Sequence, residues 1–193
     1  ATRGQESLLS PTIWGNRRGA VSTTMGFTVS NSILCVTNAA PIYVEDGKSA
    51  AIVGDYNLYG TVSNGILCSN LYEKADYATL RQWQEKDRDL RSFRSDPLFV
   101  NPAAGDFHLQ SQQGYWSNGT WAVSANTSWA IDAGPAGTNE PSPNGERINL
   151  GAYGGTPQAS LTYSAVPQLL PTTLSDGGLA PDGQPLYWLY RAL

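Results

Sequence analysis

The chain has 193 residues, enough for one ordinary domain, with a formal net charge of −4, 15% charged residues and only three lysines. That balance excludes a strongly basic nucleic-acid binder, because phosphate neutralisation needs clustered Lys and Arg, and no apolar run approaches the ~20 residues of a membrane-spanning helix. A 40% hydrophobic content with six Trp and ten Tyr excludes a wholly disordered chain, while 20 Gly and 12 Pro make it rich in turns. Its first residues, ATRGQESLLS, have neither a basic n-region nor a hydrophobic signal core, so they read as a mature secreted chain or as a piece of a longer one.

From residue 8 to about 70, short apolar runs are broken by Gly, Asn and Ser. Thr12-Ile13-Trp14, Phe27-Thr28-Val29, Ile33-Leu34-Cys35-Val36, Pro41-Ile42-Tyr43-Val44, Ala51-Ile52-Val53 and Thr61-Val62 are strand-sized and rich in β-branched residues. None has the length or the 3.6-residue period of a helix. Ile13, Ile33 and Ile52 recur at intervals of 20 and 19 residues, the scale of one turn of a solenoid. Gly, Asn and Ser suit its corners because they tolerate left-handed backbone and bond locally. A two-sheet sandwich, with strands every ~8–12 residues, is the plainer alternative. Cys35 and Cys68 sit in matching Ile-Leu-Cys settings. They read as two small buried hydrophobes or as a disulfide between neighbouring strands in an oxidising compartment. Two Cys and the single His108 do not make a zinc site.

The charged segment 76–90 differs in kind. Tyr77, Leu80 and Trp83 form a narrow apolar stripe that predicts one amphipathic helix within 76–88, capped by Asp76 and packed by Leu80 and Trp83. A strand follows between Pro97 and Pro102. Then Asp106-Phe107-His108-Leu109 alternates, placing Phe107 and Leu109 on one face and His108 on the other. Residues 111–130 carry Trp116, Trp121 and Trp129 among Ser, Asn and Gly, and 131–160 is a Gly/Pro/Asn-rich stretch. The tail 161–193 ends in the aromatic cluster Leu186-Tyr187-Trp188-Leu189-Tyr190, which has to dock on something.

Seven segments carry a resemblance in their order. They are Thr12-Ile13-Trp14-Gly15-Asn16, Val29-Ser30-Asn31-Ser32-Ile33-Leu34, Asp55-Tyr56-Asn57-Leu58-Tyr59, Thr79-Leu80-Arg81-Gln82-Trp83-Gln84, Asp96-Pro97-Leu98-Phe99-Val100, Gly105-Asp106-Phe107-His108-Leu109 and Ala130-Ile131-Asp132-Ala133-Gly134. With the closing Asn149-Leu150-Gly151-Ala152-Tyr153-Gly154-Gly155-Thr156, the chain resembles the last coils of bacterial right-handed parallel β-helix proteins of the pectate-lyase-like superfamily, over roughly residues 10–160. The resemblance implies an all-β fold. Residues 1–160 would be a terminal β-helix section with the short helix and loop-rich capping segments, and 161–193 a separate tail. It also implies an extracellular or cell-surface setting and association with polysaccharide.

Family members include lyases, epimerases, hydrolases and non-enzymatic surface proteins, so fold alone does not choose the activity. Only about three coils precede the helix, so the chain reads as a terminal section that preceding coils, or another chain, would stack upon at its N-terminal end. A lyase needs a base near the proton it removes. The basic residues at hand are Lys48 and the pair Arg17-Arg18, which can meet an acidic sugar or simply be solvated. The carboxylates Glu45, Asp46, Asp55 and Asp96 are better read as turn and corner residues than as a hydrolytic pair. His108 has no nucleophile in its sequence context.

Ca²⁺ ligands can be drawn from Asp96, Asn101 and Asp106, or from Asn139, Glu140, Asn144 and Glu146, but no EF-hand spacing supports either set. No cofactor or catalytic metal set is expected. Asn118-Gly119-Thr120 and Asn126-Thr127-Ser128 match a glycosylation pattern and read as incidental. Tyr115 and Trp116, in a Ser/Asn-rich loop, are candidate sugar-stacking residues, against the alternative that indoles seal the core. The expectation is a structural or polysaccharide-associated section without a complete active site. The alternatives are part of a polysaccharide lyase or hydrolase whose groove is completed elsewhere, and a self-associating surface filament or adhesin subunit.

Overall fold

The computed structural model describes residues 6–162 except 17–20, 24–26, 38–39, 45–51, 61–64, 72 and 145. It is strand-rich, with parallel sheets and few helices. The first nine strands are β1 (Glu6–Leu9), β2 (Thr12–Asn16), β3 (Val21–Thr23), β4 (Phe27–Ser30), β5 (Ile33–Val36), β6 (Ile42–Val44), β7 (Ile52–Asp55), β8 (Leu58–Tyr59) and β9 (Cys68–Asn70). They enter three sheets in strict rotation. Each strand pairs in parallel with the strand three places on: β1-β4-β7 in the first sheet, β2-β5-β8 in the second and β3-β6-β9 in the third. Cα partners such as Thr12 and Ile33, or Val21 and Ile42, lie one circuit apart.

Equivalent corners join the first sheet to the second: Ser10-Pro11, Asn31-Ser32 and Tyr56-Asn57. Each opens with a left-handed residue (φ 57°, 56° and 56°). Asn is at home there, and its carboxamide works along the stack: Asn31 Nδ2 donates to Ser10 Oγ at 3.0 Å. Asn57 bonds the neighbouring corner in both senses, accepting from Ser32 N (3.1 Å) and donating to Val29 O (3.0 Å). Corner-forming Asn is therefore what the sequence predicts. The register is not. The isoleucine spacing is out of phase: Ile33 stands opposite Thr12 and Leu58, whereas Ile52 belongs to another sheet, opposite Phe27. Apolar identity repeats less faithfully than position, because any small or branched residue fills an inward site.

The inner strands of the second sheet, β5 and β8, are buried on both faces. Leu34 and Tyr59 point into an inner cluster with Val29, Ile42 and Val44, while Ile33, Cys35, Leu58 and Phe93 point into an outer one with Phe99, Leu109, Ile131 and Leu150. This explains the unbroken apolar run 33–36, since a strand covered on both faces has no reason to alternate. The segment 95–160 supplies the outer cover. Its strands β12 (Phe99–Asn101), β13 (Asp106–Leu109), β14 (Tyr115–Ser117) and β15 (Thr120–Ala122) pair only antiparallel, so the resemblance motifs beyond residue 94 do not extend the parallel ladders. The last parallel partner is Phe93-Arg94 (β11), on β8. Close approach requires Gly151 (φ 86°), where a Cβ would stand 2.7 Å from Thr12 Oγ1 and 2.9 Å from Ile33 Cδ1.

The inner cluster is closed by α1 (Leu80–Gln84), shorter than the helix predicted over 76–88. Asp76 does not cap it. It lies in β10 (Ala75–Tyr77), which folds back antiparallel on β9. The cap is Thr79, in a capping box with Gln82. Leu80 and Trp83 plug the core as expected, and Tyr77 meets Trp83 edge to face at 5.2 Å.

Glu73 ties this end down, accepting from Tyr77 Oη (2.6 Å) and from Arg88 Nη2 (2.5 Å). The Arg88 guanidinium holds the Glu73 carboxyl below the usual carboxylate range. A lowered folded-state pKa gives stability that is present above the ordinary glutamate value and lost as pH falls through the folded one. Arg88→Gln is therefore expected to flatten the acid limb of a stability–pH profile by under about 1 kcal/mol, the scale of a partly exposed pair.

Candidate functional site

The strongest polar centre is structural. Asp89, 1% exposed, accepts four hydrogen bonds: Asn57 Nδ2 (2.7 Å) and Ser92 Oγ (2.8 Å) on Oδ1, Trp83 Nε1 (2.8 Å) and Tyr59 Oη (3.1 Å) on Oδ2. It rests on Gly54, where a Cβ would come within 2.9 Å of the carboxylate. With every donor coming from the fold itself, this group fastens α1 and β11 to the first two sheets rather than facing a ligand. Sequence reading missed it because nothing local marks a lone Asp in Asp87-Arg88-Asp89 as buried.

Asp106, His108 and Tyr153 form a second cluster. Asp106 Oδ1 accepts from His108 Nδ1 at 2.7 Å and from its backbone N at 3.1 Å. Tyr153 stacks on the imidazole with centroids 3.6 Å apart. The predicted alternation holds: Phe107 and Leu109 pack on the outer cluster, while His108 lies on the other face, where Tyr153 covers and buries it. Its Nε2 is buried without a partner, so the ring does not present a base to a substrate.

The remaining predicted residues fall as follows. Arg17 and Arg18 lie outside the described residues, as do Glu45, Asp46, Lys48 and the 186–190 aromatic cluster. Asp55 holds Arg91 Nη1 at 2.5 Å and the backbone N of Tyr56 at 3.0 Å, a corner role as read from the sequence. Asp96 and Asn101 accept from the backbone N of Leu98 and Ala104. Glu140 accepts from Asn149 N (2.7 Å) and Gly155 N (2.6 Å), and Asn144 Nδ2 donates to Ser160 O. Each of these side chains bonds backbone; Asp55 also holds the Arg91 guanidinium, and Asn144 Oδ1 is buried without a partner. Among the described residues no group of three or more His, Cys, Asp or Glu is placed to hold a metal ion.

Cys35 and Cys68 are free, buried thiols in different sheets, one in each core cluster, and are not joined as the disulfide alternative would have them. Burial pushes both thiols up to about 12. Native protein is therefore expected to resist alkylation at neutral pH, with both thiols reacting only after denaturation, as counted by mass spectrometry.

Tyr115 and Trp116 are brought to β14 but not to one platform. Consecutive strand residues point to opposite faces, and the partner of Trp116 is Trp121, directly across in β15, edge to face at 5.3 Å. Asn118 (φ 50°) and Gly119 (φ 86°) make the two-residue turn that sets this register. Asn-Gly between two Trp-bearing runs is the signal from which the pair is legible. Trp121 lies against Gly114, where a Cβ would stand 3.4 Å from its ring. The hairpin base is held by Leu161 N to Gly114 O (2.8 Å) and Ser124 N to Ser111 O (2.9 Å). Trp129 packs on the outer core, but Trp116 and Trp121 belong to neither cluster and are only partly buried. Of the surfaces described, this one combines aromatic rings, a rigid support and access.

No curated protein and no solved structure matches the chain, and no pectate-lyase-like family does. A family model described as disaggregatase related matches residues 20–134, more than half the chain and a span that includes the parallel circuits from β3 onward, α1 and the tryptophan hairpin. The chain belongs to the disaggregatase-related family.

Proposed function

We propose that the chain is the closing section of a right-handed parallel β-helix on an extracellular or cell-surface protein, one that contacts polysaccharide without a complete active site of its own. The observation that carries the reading is the strict rotation of strands through three parallel sheets, ended by α1 and β10. A solenoid so plugged can extend only from its β1-β2-β3 side, so preceding coils or another chain are its partners there. The family's β-helix-like character supports the architecture. Its description links the chain, by relation, to an activity that takes aggregates apart, for which gripping a polymer is a useful property. Among the described residues, the carboxylates of Asp89, Asp106, Glu73, Asp55 and Glu140 are engaged in internal bonds, which is why we assign contact rather than cleavage. Cosedimentation with insoluble polysaccharides tests this. Retention of the chain by at least one polymer is expected, and a chain left wholly in the supernatant with all of them contradicts it.

A further inference from the structure

We infer that the Trp116–Trp121 hairpin is a binding site for an uncharged polysaccharide, an assignment of ligand class that rests on the reading above. Three observations converge. The two indoles pair with each other across the strands at 5.3 Å, belong to neither core cluster and are only partly buried, so part of their surface stays accessible. They are carried on a short hairpin whose turn geometry is fixed by Asn118 and Gly119 and whose base is fastened to Ser111 and Leu161. The edge-to-face pair is thus held in one arrangement before any ligand arrives.

The third observation is chemical. From Phe107 to Ile131 the sequence contains no Asp, Glu, Lys or Arg, while Gln113, Ser117, Asn118 and Thr120 place amides and hydroxyls on and beside the hairpin. Pyranose rings offer C–H faces to indoles and hydroxyls to amides. A uronate or sulfated sugar needs a cation here, and the segment has none. Acidic polymers, which the arginine pair would favour, find no Lys or Arg within residues 107–131 to meet their charge.

Affinity electrophoresis of the full chain tests the assignment, in gels cast with uncharged dextran, galactomannan or mixed-linkage β-glucan and with acidic polygalacturonate or chondroitin sulfate. At least one uncharged polymer is expected to retard the chain to the same extent at low and high salt. Trp116→Ala should weaken binding at least ten-fold and Trp116→Phe much less, with both variants keeping the parent thermal midpoint. In the unaltered chain the bound polymer should shield tryptophan emission from acrylamide, a readout that does not depend on how a variant folds. Retardation only by acidic polymers, unaffected by Trp116→Ala, overturns this inference and leaves the polysaccharide reading standing. Retardation by no polymer overturns both. Binding of an uncharged polymer without tryptophan shielding also overturns it.

Discussion

Replacing Asp89 by Asn is expected to cost about 2–4 kcal/mol, although the two side chains have the same shape. The reason lies in the donors. Trp83 Nε1 can only donate, and Asn57 Nδ2 is fixed as a donor because its own Oδ1 is taken by Ser32 N. Whichever way the new amide turns, its NH2 faces one of them. Asn also accepts the left-handed backbone at this position (φ 51°), so the substitution isolates the hydrogen bonds from backbone strain. Asp89→Ala, which abandons all four donors in the interior, is expected to cost about 3–5 kcal/mol.

The pH dependence separates the variant further. Burial pushes the Asp89 carboxyl up, and its four donors oppose the shift without reversing it. A raised folded-state pKa gives a contribution that is full below the ordinary aspartate value and is lost as pH rises through the folded one. The parent chain carries that dependence and Asp89→Asn lacks it. Urea unfolding across this pH range measures both effects. A cost below about 1 kcal/mol would show that the four bonds do not hold α1 in place.

Gly60→Ala is the second large effect, about 3 kcal/mol in the direction of instability. A Cβ at residue 60 would stand 2.1 Å from Cys35 Sγ and 3.0 Å from Cys35 Cβ. Neither partner can move freely. Gly60 N is bonded to Leu34 O, and Cys35 is buried in the middle of the second sheet. Trimming the sulfur should make room, so Cys35→Ala combined with Gly60→Ala is expected to recover about half of the loss. That non-additivity is the signature of direct contact. Strict additivity of the two changes would place Cys35 and Gly60 apart and contradict the packing of the outer cluster.

Much of this architecture is legible in the sequence where physics acts locally. Short β-branched runs with Asn and Ser between them announce parallel strands and left-handed corners, and Asn31 and Asn57 do what their side chains suit them for. Leu80 and Trp83 announce a plug, though the plug is shorter than its charged surroundings imply, because Ala75–Tyr77 pairs with β9 before the helix can begin. What is not legible depends on distant partners. The burial of Asp89 rests on Asn57 and Tyr59, some thirty residues away, and the burial of His108 rests on Tyr153. The register of the circuits escapes the isoleucine spacing because the loops between strands differ in length. At the candidate site, Tyr115 and Trp116 are adjacent in sequence and therefore opposed in space. The face that matters joins Trp116 to Trp121 through a turn whose two residues were readable all along.

Binding without cleavage is the claim on which the functional account turns. It is tested most directly by incubating the full chain with each polysaccharide that retains it, then assaying the same mixture for new reducing ends and for the unsaturated products of a lyase. The account predicts retention with neither product above the level of a heat-denatured control. Either product, formed in proportion to the chain and to time, would contradict it.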